Sequence, residues 1–158
     1  MYTNTFARCS TQLTNADIEA IEKRIGFELP AQLKQHYLFC NGGKPERRCW
    51  KSEGWDYTCL NFFFPMRPEN ASEEMADVET VDEIVVDLLS GSHIPETFVP
   101  FADDAGGNYF CVDRDTGSIY FFAMDVGDDF ENAKRYLTSS LFEFIEGLVE
   151  ATGDLEYL

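Results

Sequence analysis

Three short strands are predicted from residues 98–124, which read FVPFADDAGGNYFCVDRDTGSIYFFAM and decide the fold class. Phe98 to Ala102 and Asn108 to Asp113 are rich in aromatic and β-branched residues, and the acidic, glycine-containing segment 103–107 separates them. Arg114 to Gly117 form a turn, and Ser118 to Met124 is the returning strand. Because strands this close in sequence pair as hairpins, the stretch predicts an antiparallel sheet.

Four amphipathic helices are predicted around these strands, because apolar residues recur there every three or four positions. Thr14, Thr80 and Ser140 are the capping residues that begin the first, third and fourth helices. The second helix begins near Pro30, where a proline is tolerated in the first turn. Glycines are expected to end the helices, and those positions are Gly26, Gly42, Gly43 and Gly91.

The remaining segments are less regular. Leu60 to Phe64 is predicted as a strand, Lys44 to Asp56 as a loop or an irregular strand pair, and Glu69 to Glu79 as an exposed connection. Asp128 to Leu137 is expected to add one or two helical turns. The order of elements predicts an α+β fold, in which residues 1–158 form a single domain with a small antiparallel sheet flanked by helices.

The charge of the chain restricts its partners. The sequence has 12 Lys and Arg residues against 29 Asp and Glu residues, a net charge of −17. Such a surface repels phosphate backbones and anionic membranes, so we expect no direct nucleic-acid partner and no membrane. Residues 1–67 have a net charge of +2 and residues 68–158 a net charge of −19. The acidic part is either a solvated surface or a face for a basic partner.

The cysteines and the N-terminus bear on the compartment. Five cysteines are an odd number, and none of them forms a Cys-x-x-Cys pair, so reduced thiols are predicted. The first residues lack the basic and apolar regions of a secretory signal. The longest run without a charged residue, Tyr57 to Met66, is too short to cross a membrane. A cytoplasmic location is therefore predicted.

Three ordered segments of the chain together resemble one known family. They are Glu19 to Gly26 with Leu29-Pro30-Ala31, Leu33 and Asn41-Gly42-Gly43; Ile94-Pro95, Pro100-Phe101, Asp103-Asp104, Gly106-Gly107-Asn108, Tyr109 to Asp113 and Thr116-Gly117; and Ser140 to Leu148. The set covers most of residues 14–150, with Lys44 to Asp56 as the main departure, and resembles the SUKH superfamily, also known as the Smi/Knr family.

This resemblance implies an SUKH-like α+β fold and a binding function. Bacterial members are most often immunity proteins, each of which binds and neutralises a cognate polymorphic or contact-dependent toxin. Fungal members resemble regulatory or scaffolding proteins of cell-wall synthesis, so an endogenous partner is the alternative. The expected partner is a basic toxin domain, for example a nuclease.

No catalytic, metal or cofactor site is predicted. Gly106-Gly107 lacks the residues of a phosphate-binding loop, and a calcium loop counted from Asp113 would place Met124 where glutamate is required. His36, Cys40, Cys49 and Cys59 match no common zinc spacing, and nothing in the sequence orients His36 as a base for a cysteine. The chain is therefore predicted not to be an enzyme, with a hydrolase that uses a carboxylate pair as the third hypothesis.

Two sets of residues are candidates for partner binding. Trp50 and Trp55 lie among basic residues and either contact a partner or cover the edge of the sheet. The acidic run between Pro68 and Ser92 contains no Lys or Arg and could steer a basic protein toward the surface. With a second acidic cluster, the candidate partner-binding residues are Glu69, Glu73, Glu74, Asp77, Glu79, Asp128, Asp129, Glu131, Trp50 and Trp55.

Overall fold

An antiparallel sheet of six strands lies at the centre of the computed structural model, which describes residues 2–54, 56–69, 71, 78–91, 94–126 and 129–151. The strands are hydrogen-bonded in chain order as β3 (Cys49–Lys51), β4 (Tyr57–Phe63), β5 (Phe98–Asp104), β6 (Tyr109–Asp113), β7 (Ile119–Phe122) and β8 (Lys134–Thr138). Two shorter strands, β1 (Phe6–Ala7) and β2 (Lys44–Pro45), form a separate ribbon. The predicted α+β fold with an antiparallel sheet is confirmed.

The hairpins predicted from residues 98–124 form as expected. The β5 strand pairs with β6, and β6 pairs with β7, both in antiparallel register. The Asp113 carboxylate accepts a hydrogen bond from the backbone N–H of Asp115 in the β6–β7 turn. Asp104 accepts from the N–H groups of Gly106 and Asn108, both at 2.9 Å, and Gly107 has a φ of +81°. The glycine pair therefore serves the β5–β6 turn, as predicted.

The described residues form five α-helices around the sheet: α1 (Asn15–Ile25), α2 (Ala31–Phe39), α3 (Val81–Gly91), α4 (Phe130–Ala133) and α5 (Leu141–Gly147). The caps of α1 and α5 form as predicted. The Thr14 side chain accepts from the N–H of Asp17, whose carboxylate accepts in return from the N–H of Thr14. Ser140 Oγ accepts from the N–H of Glu143. These local hydrogen bonds set both helix starts.

The α3 helix begins where Thr80 predicts, but its capping bond is not made. Thr80 Oγ1 is buried and has no hydrogen-bond partner within the described part of the chain. The N–H of Val81 instead donates to the carbonyl oxygen of Pro65 at 3.0 Å. A tertiary contact therefore satisfies the first N–H group of α3, and the predicted side-chain cap does not form.

The prediction of helical turns for Asp128 to Leu137 is partly wrong. Within residues 129–137, which the structure describes, the short α4 helix is the only helical segment, and residues 134–138 form the edge strand β8, which pairs with β7. Tyr120 lies opposite Tyr136, and their ring centroids are 5.6 Å apart. Lys, Arg, Tyr, Leu and Thr fit either structure locally, so the available edge of β7 decides the outcome.

The core occupies both faces of the sheet. Phe110 and Cys111 are adjacent in β6 and point to opposite faces, and Phe110 contacts Phe144 of α5. On the other face, Phe98 contacts Phe122, and α3 packs against β5. Because both faces are covered, all of residues 98–102 are buried.

The chain after α5 returns to the first strand of this sheet. The backbone of Val149 exchanges hydrogen bonds with Cys49 of β3, at N···O distances of 2.8 and 3.0 Å. Arg135 Nη2 of β8 donates to Thr58 Oγ1 of β4 at 2.7 Å, although three strands lie between β4 and β8. The sheet therefore curls around α5.

The prediction of reduced thiols is wrong in this structure. Cys9 is bonded to Cys40 and Cys49 to Cys59, with Cα–Cα distances of 5.3 and 4.0 Å. Cys111 is the free cysteine of the described residues, and burial raises the pKa of its thiol. Cys49 and Cys59 lie directly opposite each other in the β3–β4 register. An odd number of cysteines does not exclude disulfides. Here four cysteines pair, and the fifth, Cys111, is buried in the core.

Candidate functional site

Trp50, a predicted partner contact, is largely used for packing. Its ring stacks on Phe144 at 5.4 Å between ring centroids, with an interplanar angle of 30°. A Cβ atom at Gly147 would lie 2.6 Å from Trp50 Cζ3, so the ring fills the space beside that glycine. Trp55, the second predicted contact, lies outside the described residues. Trp50 thus occupies the sheet edge, the alternative that the sequence left open.

Four carboxylates and one tyrosine form what we call the acidic surface: Glu79, Asp87, Asp103, Asp104 and Tyr109. Asp103 and Tyr109 lie opposite each other in β5 and β6 and are half-buried. The pKa of Tyr109 is raised by burial, and further by Glu79, Asp103 and Asp87. Burial raises the pKa of Asp103, and the charges of Glu79 and Asp104 raise it further. A hydrogen bond from Asn61 lowers this pKa and offsets part of the rise. Negative charge therefore accumulates at this end of the sheet.

A second group of acids lies on the adjoining segment. Asn108, in the β5–β6 turn, donates from Nδ2 to Asp104 and accepts at Oδ1 from the N–H of Met124. Met124 begins a short 3₁₀ turn that contacts α4. Asp129 and Glu131, both exposed, belong to this region, and Glu131 forms an ion pair with Lys134 at 3.1 Å. Asn108 thus connects the two acidic groups.

Some carboxylates of the predicted acidic run form ion pairs, and others do not. Asp82 lies 3.5 Å from Arg24, and Glu83 lies 3.2 Å from Arg67, so cations from other segments neutralise the start of α3. Glu79 and Asp87 are exposed, and neither forms an ion pair with another described residue. Unpaired exposed carboxylates are the ones available to steer a partner.

The other predicted acids are placed differently. Glu69 is exposed and shares a surface hollow with Lys23 and Arg24 of α1. Glu73, Glu74, Asp77 and Asp128 lie outside the described residues. The acidic surface also includes Asp87, Asp103 and Asp104, which were absent from the predicted site. Their position at the tip of a predicted hairpin could have identified Asp103 and Asp104, whereas only the packing of α3 against β5 brings the charge of Asp87 near Tyr109.

His36 and Cys40 do not form a catalytic or metal site. Cys40 is bonded to Cys9, and His36 is fully buried against the rings of Phe6 and Phe63. Burial lowers the pKa of His36 to about 4, so the imidazole is neutral at pH 7. Across the described ranges, no three His, Cys, Asp or Glu side chains are grouped to hold a metal ion.

We expect the free energy of unfolding to fall by about 2 kcal/mol between pH 7 and pH 5 because of His36. Its pKa is lowered from 6.5 to about 4 in the folded state, so the unfolded chain takes up a proton first. The stabilising contribution is complete above pH 6.5 and is lost as the pH falls toward 4. Urea unfolding of the wild type and of a His36→Phe variant from pH 7 to pH 4 measures this difference.

Carboxylates titrate in both proteins, so the difference between the two curves isolates His36. Identical pH dependence of the two proteins would contradict the assignment of a lowered pKa.

None of the described helices combines the length and the apolar content needed to cross a membrane.

The chain matches a protein-family model and is similar to a protein of Bacillus subtilis. The family model described as the SMI1 / KNR4 family (SUKH-1) matches residues 12–147. A protein of Bacillus subtilis strain 168, named SPbeta prophage-derived uncharacterized protein YokK, is 26% identical over 156 residues. That alignment covers 87% of this chain and 75% of the relative.

Proposed function

This chain belongs to the SMI1/KNR4 family (SUKH-1), and from that premise we propose that it is an immunity protein. It binds and neutralises a cognate polymorphic or contact-dependent toxin and performs no chemistry itself. The observation that carries the proposal is the family match, which extends over residues 12–147. Bacterial proteins that resemble this family most often act in this way, by binding a protein partner.

The charge of the chain supports a basic partner. The net charge is −17, and the acidic surface adds unpaired carboxylates at one end of the sheet. A basic toxin domain, such as a nuclease, would be attracted to this surface before contact, which raises the association rate. We propose that Glu79 and Asp129 contribute directly, and that Glu131, which forms an ion pair with Lys134, contributes less. We also propose that five further acids contribute to toxin binding: Glu69, Glu73, Glu74, Asp77 and Asp128. Candidates for apolar contacts with the toxin remain Trp50 and Trp55.

The first experiment is neutralisation in cells. A toxin domain encoded beside this gene is expressed with and without the protein, and growth is measured. We expect growth to be restored only with this protein and not with an immunity protein of another toxin. If the chain instead binds a housekeeping protein of its own cell and no toxin, the alternative of a regulatory or scaffolding function replaces the proposal.

Charge reversal at Glu79 and Asp87 is expected to weaken toxin binding about tenfold or more at low salt, because like charges then face the basic partner. Both side chains are exposed, so the melting temperature should change little. The Glu79→Lys/Asp87→Lys variant is compared with Glu19→Lys/Asp115→Lys, which makes the same change in net charge at exposed positions of α1 and of the β6–β7 turn. Association and dissociation rates are measured at several salt concentrations.

The control variant should stay within about threefold of the wild type, and the wild-type association rate should fall as salt rises. Equal losses for both variants would show that only net charge matters. Unchanged binding of both would remove the acidic surface from the proposal and direct attention to Trp50.

Two further parts of the proposal concern organisation and location. We propose that residues 1–158 form a single domain, since one continuous sheet contacts helices from both ends of the chain. We also propose a cytoplasmic location, since a toxin that acts in the cytoplasm must be neutralised there. The two disulfides argue against a cytoplasmic location, because the reducing cytosol keeps cysteines as free thiols. Labelling of free thiols in intact cells tests it directly.

A further inference from the structure

A cavity of about 500 Å³ opens between the β1–β2 ribbon and the end of β4. Phe62, Phe63, Pro65 and Val78 supply its apolar walls, and Arg8 and Lys44 supply positive charge. Phe62 is 41% exposed although it is a large apolar side chain. The volume is within the range of pockets that hold small molecules, which typically combine apolar walls with a few polar groups.

Two cations line this cavity. Lys44 pairs with Ala7 in the ribbon, and Arg8 follows directly after β1. Neither Arg8 nor Lys44 forms an ion pair with any described residue, and no carboxylate occurs among the described residues that line the cavity. The chain as a whole has 29 acidic residues and 12 basic ones. Two unpaired cations in such a chain favour an anionic ligand.

The walls of the cavity are held in place by the surrounding structure. Arg8 is the non-glycine residue of the described chain with a left-handed backbone, at a φ of +57°, and the adjacent Cys9 is bonded to Cys40. A Cβ atom at Gly43 would lie 2.7 Å from Cys40 Sγ. The buried amide of Asn41 donates to the carbonyl oxygen of Met66 and accepts from its N–H. A non-glycine residue in this conformation costs energy and persists where the surroundings hold it.

We propose that this cavity binds a small organic anion with an aromatic or apolar body. The anionic head group, a carboxylate or a phosphate, lies between Arg8 and Lys44, where charge-assisted hydrogen bonds are available. The body of the ligand packs against Phe62, Phe63 and Pro65. The residues that line this site are not those of the acidic surface, and its test requires no toxin.

The probe is 8-anilinonaphthalene-1-sulfonate, an aromatic anion that becomes fluorescent in apolar surroundings. We expect saturable binding with a stoichiometry of one, and a loss of affinity of about tenfold or more in the Arg8→Gln/Lys44→Gln variant. Lys23→Gln removes a positive charge from the exposed side of α1 and should change the affinity less than about twofold. Phe142→Ser tests the exposed aromatic group of Tyr2, Phe39 and Phe142 as a rival binding site.

Competition by small ligands distinguishes the head groups. Benzoate and phenyl phosphate should displace the probe, and neutral benzyl alcohol should not. The stronger of the two anions identifies the preferred head group. The Arg8→Lys/Lys44→Arg variant retains both charges and should retain binding, which separates lost charge from damaged folding.

Four results would overturn the proposal. They are no probe binding by the wild type, equal binding by the Arg8→Gln/Lys44→Gln variant, displacement by benzyl alcohol as effective as by benzoate, and loss of binding in Phe142→Ser alone.

Discussion

Replacing Phe144 by alanine is expected to lower the free energy of unfolding by about 3–5 kcal/mol. The side chain is fully buried, and its ring contacts those of Trp50, Phe101 and Phe110 at centroid distances of 5.4, 5.8 and 5.5 Å. Truncation removes these contacts and leaves a cavity between α5 and the curled sheet. Because α5 fills the concave face, neighbouring residues can close the space only by moving the sheet itself.

Phe142, two residues earlier in α5, provides the matched control. It is 50% exposed, so Phe142→Ala should cost less than about 1 kcal/mol. Urea unfolding monitored by circular dichroism measures both variants. Similar losses for the two would contradict the assignment of Phe144 to the core and of Phe142 to the surface.

Removal of the Cys9–Cys40 disulfide is expected to lower the free energy of unfolding by about 3–4 kcal/mol. The bond joins residues 31 positions apart, and the crosslink restricts the unfolded chain. It also holds β1 beside the end of α2. Urea unfolding of the wild type and of a Cys9→Ala/Cys40→Ala variant measures the difference.

Cys49→Ala/Cys59→Ala is the comparison, since its shorter separation of 10 residues predicts a smaller loss of about 2–3 kcal/mol. A thiol assay on the unfolded, unreduced protein should detect one cysteine, Cys111. Five reactive thiols in that assay would show that the protein exists without disulfides, and the predicted difference would then be absent.

The outcome of the thiol assay also bears on the location of the protein. Persistent disulfides are typical of oxidising compartments, whereas an immunity protein for a toxin that acts in the cytoplasm must meet that toxin there. The predicted effect of the disulfide on stability and the predicted cytoplasmic location can therefore be tested separately. Stability is measured in the purified protein, and location is measured in the cell.

Hydrogen bonds between residues close together in the chain determined much of the fold, and such bonds can be predicted from the sequence. Thr14 and Ser140 hydrogen-bond within their own first helical turns, so their capping function requires no distant residue. Asp104 and Asp113 likewise satisfy N–H groups a few residues away, which sets the β5–β6 and β6–β7 turns. Interactions that close over three or four residues are encoded where they act, and these predictions were confirmed.

The candidate site was predicted only in part, because its ion pairs join residues that are far apart in the chain. Glu79 is exposed as expected, but Asp82 and Glu83 are neutralised by Arg24 and Arg67, which lie in other segments. The absence of Lys and Arg within an acidic run therefore does not establish that the run is unpaired. Sequence spacing carries no information about which distant cation will reach a carboxylate.

The sequence by itself determined most of the element types, the antiparallel hairpins, the capped starts of α1 and α5 and the strong negative charge. Only the tertiary structure decided that residues 134–138 form a strand, that Trp50 packs on Phe144, that four cysteines pair and that Arg8 and Lys44 share a cavity. Each of these depends on contacts between residues far apart in the chain. Such contacts form only when the burial of apolar surface around α5 and the sheet brings their partners together.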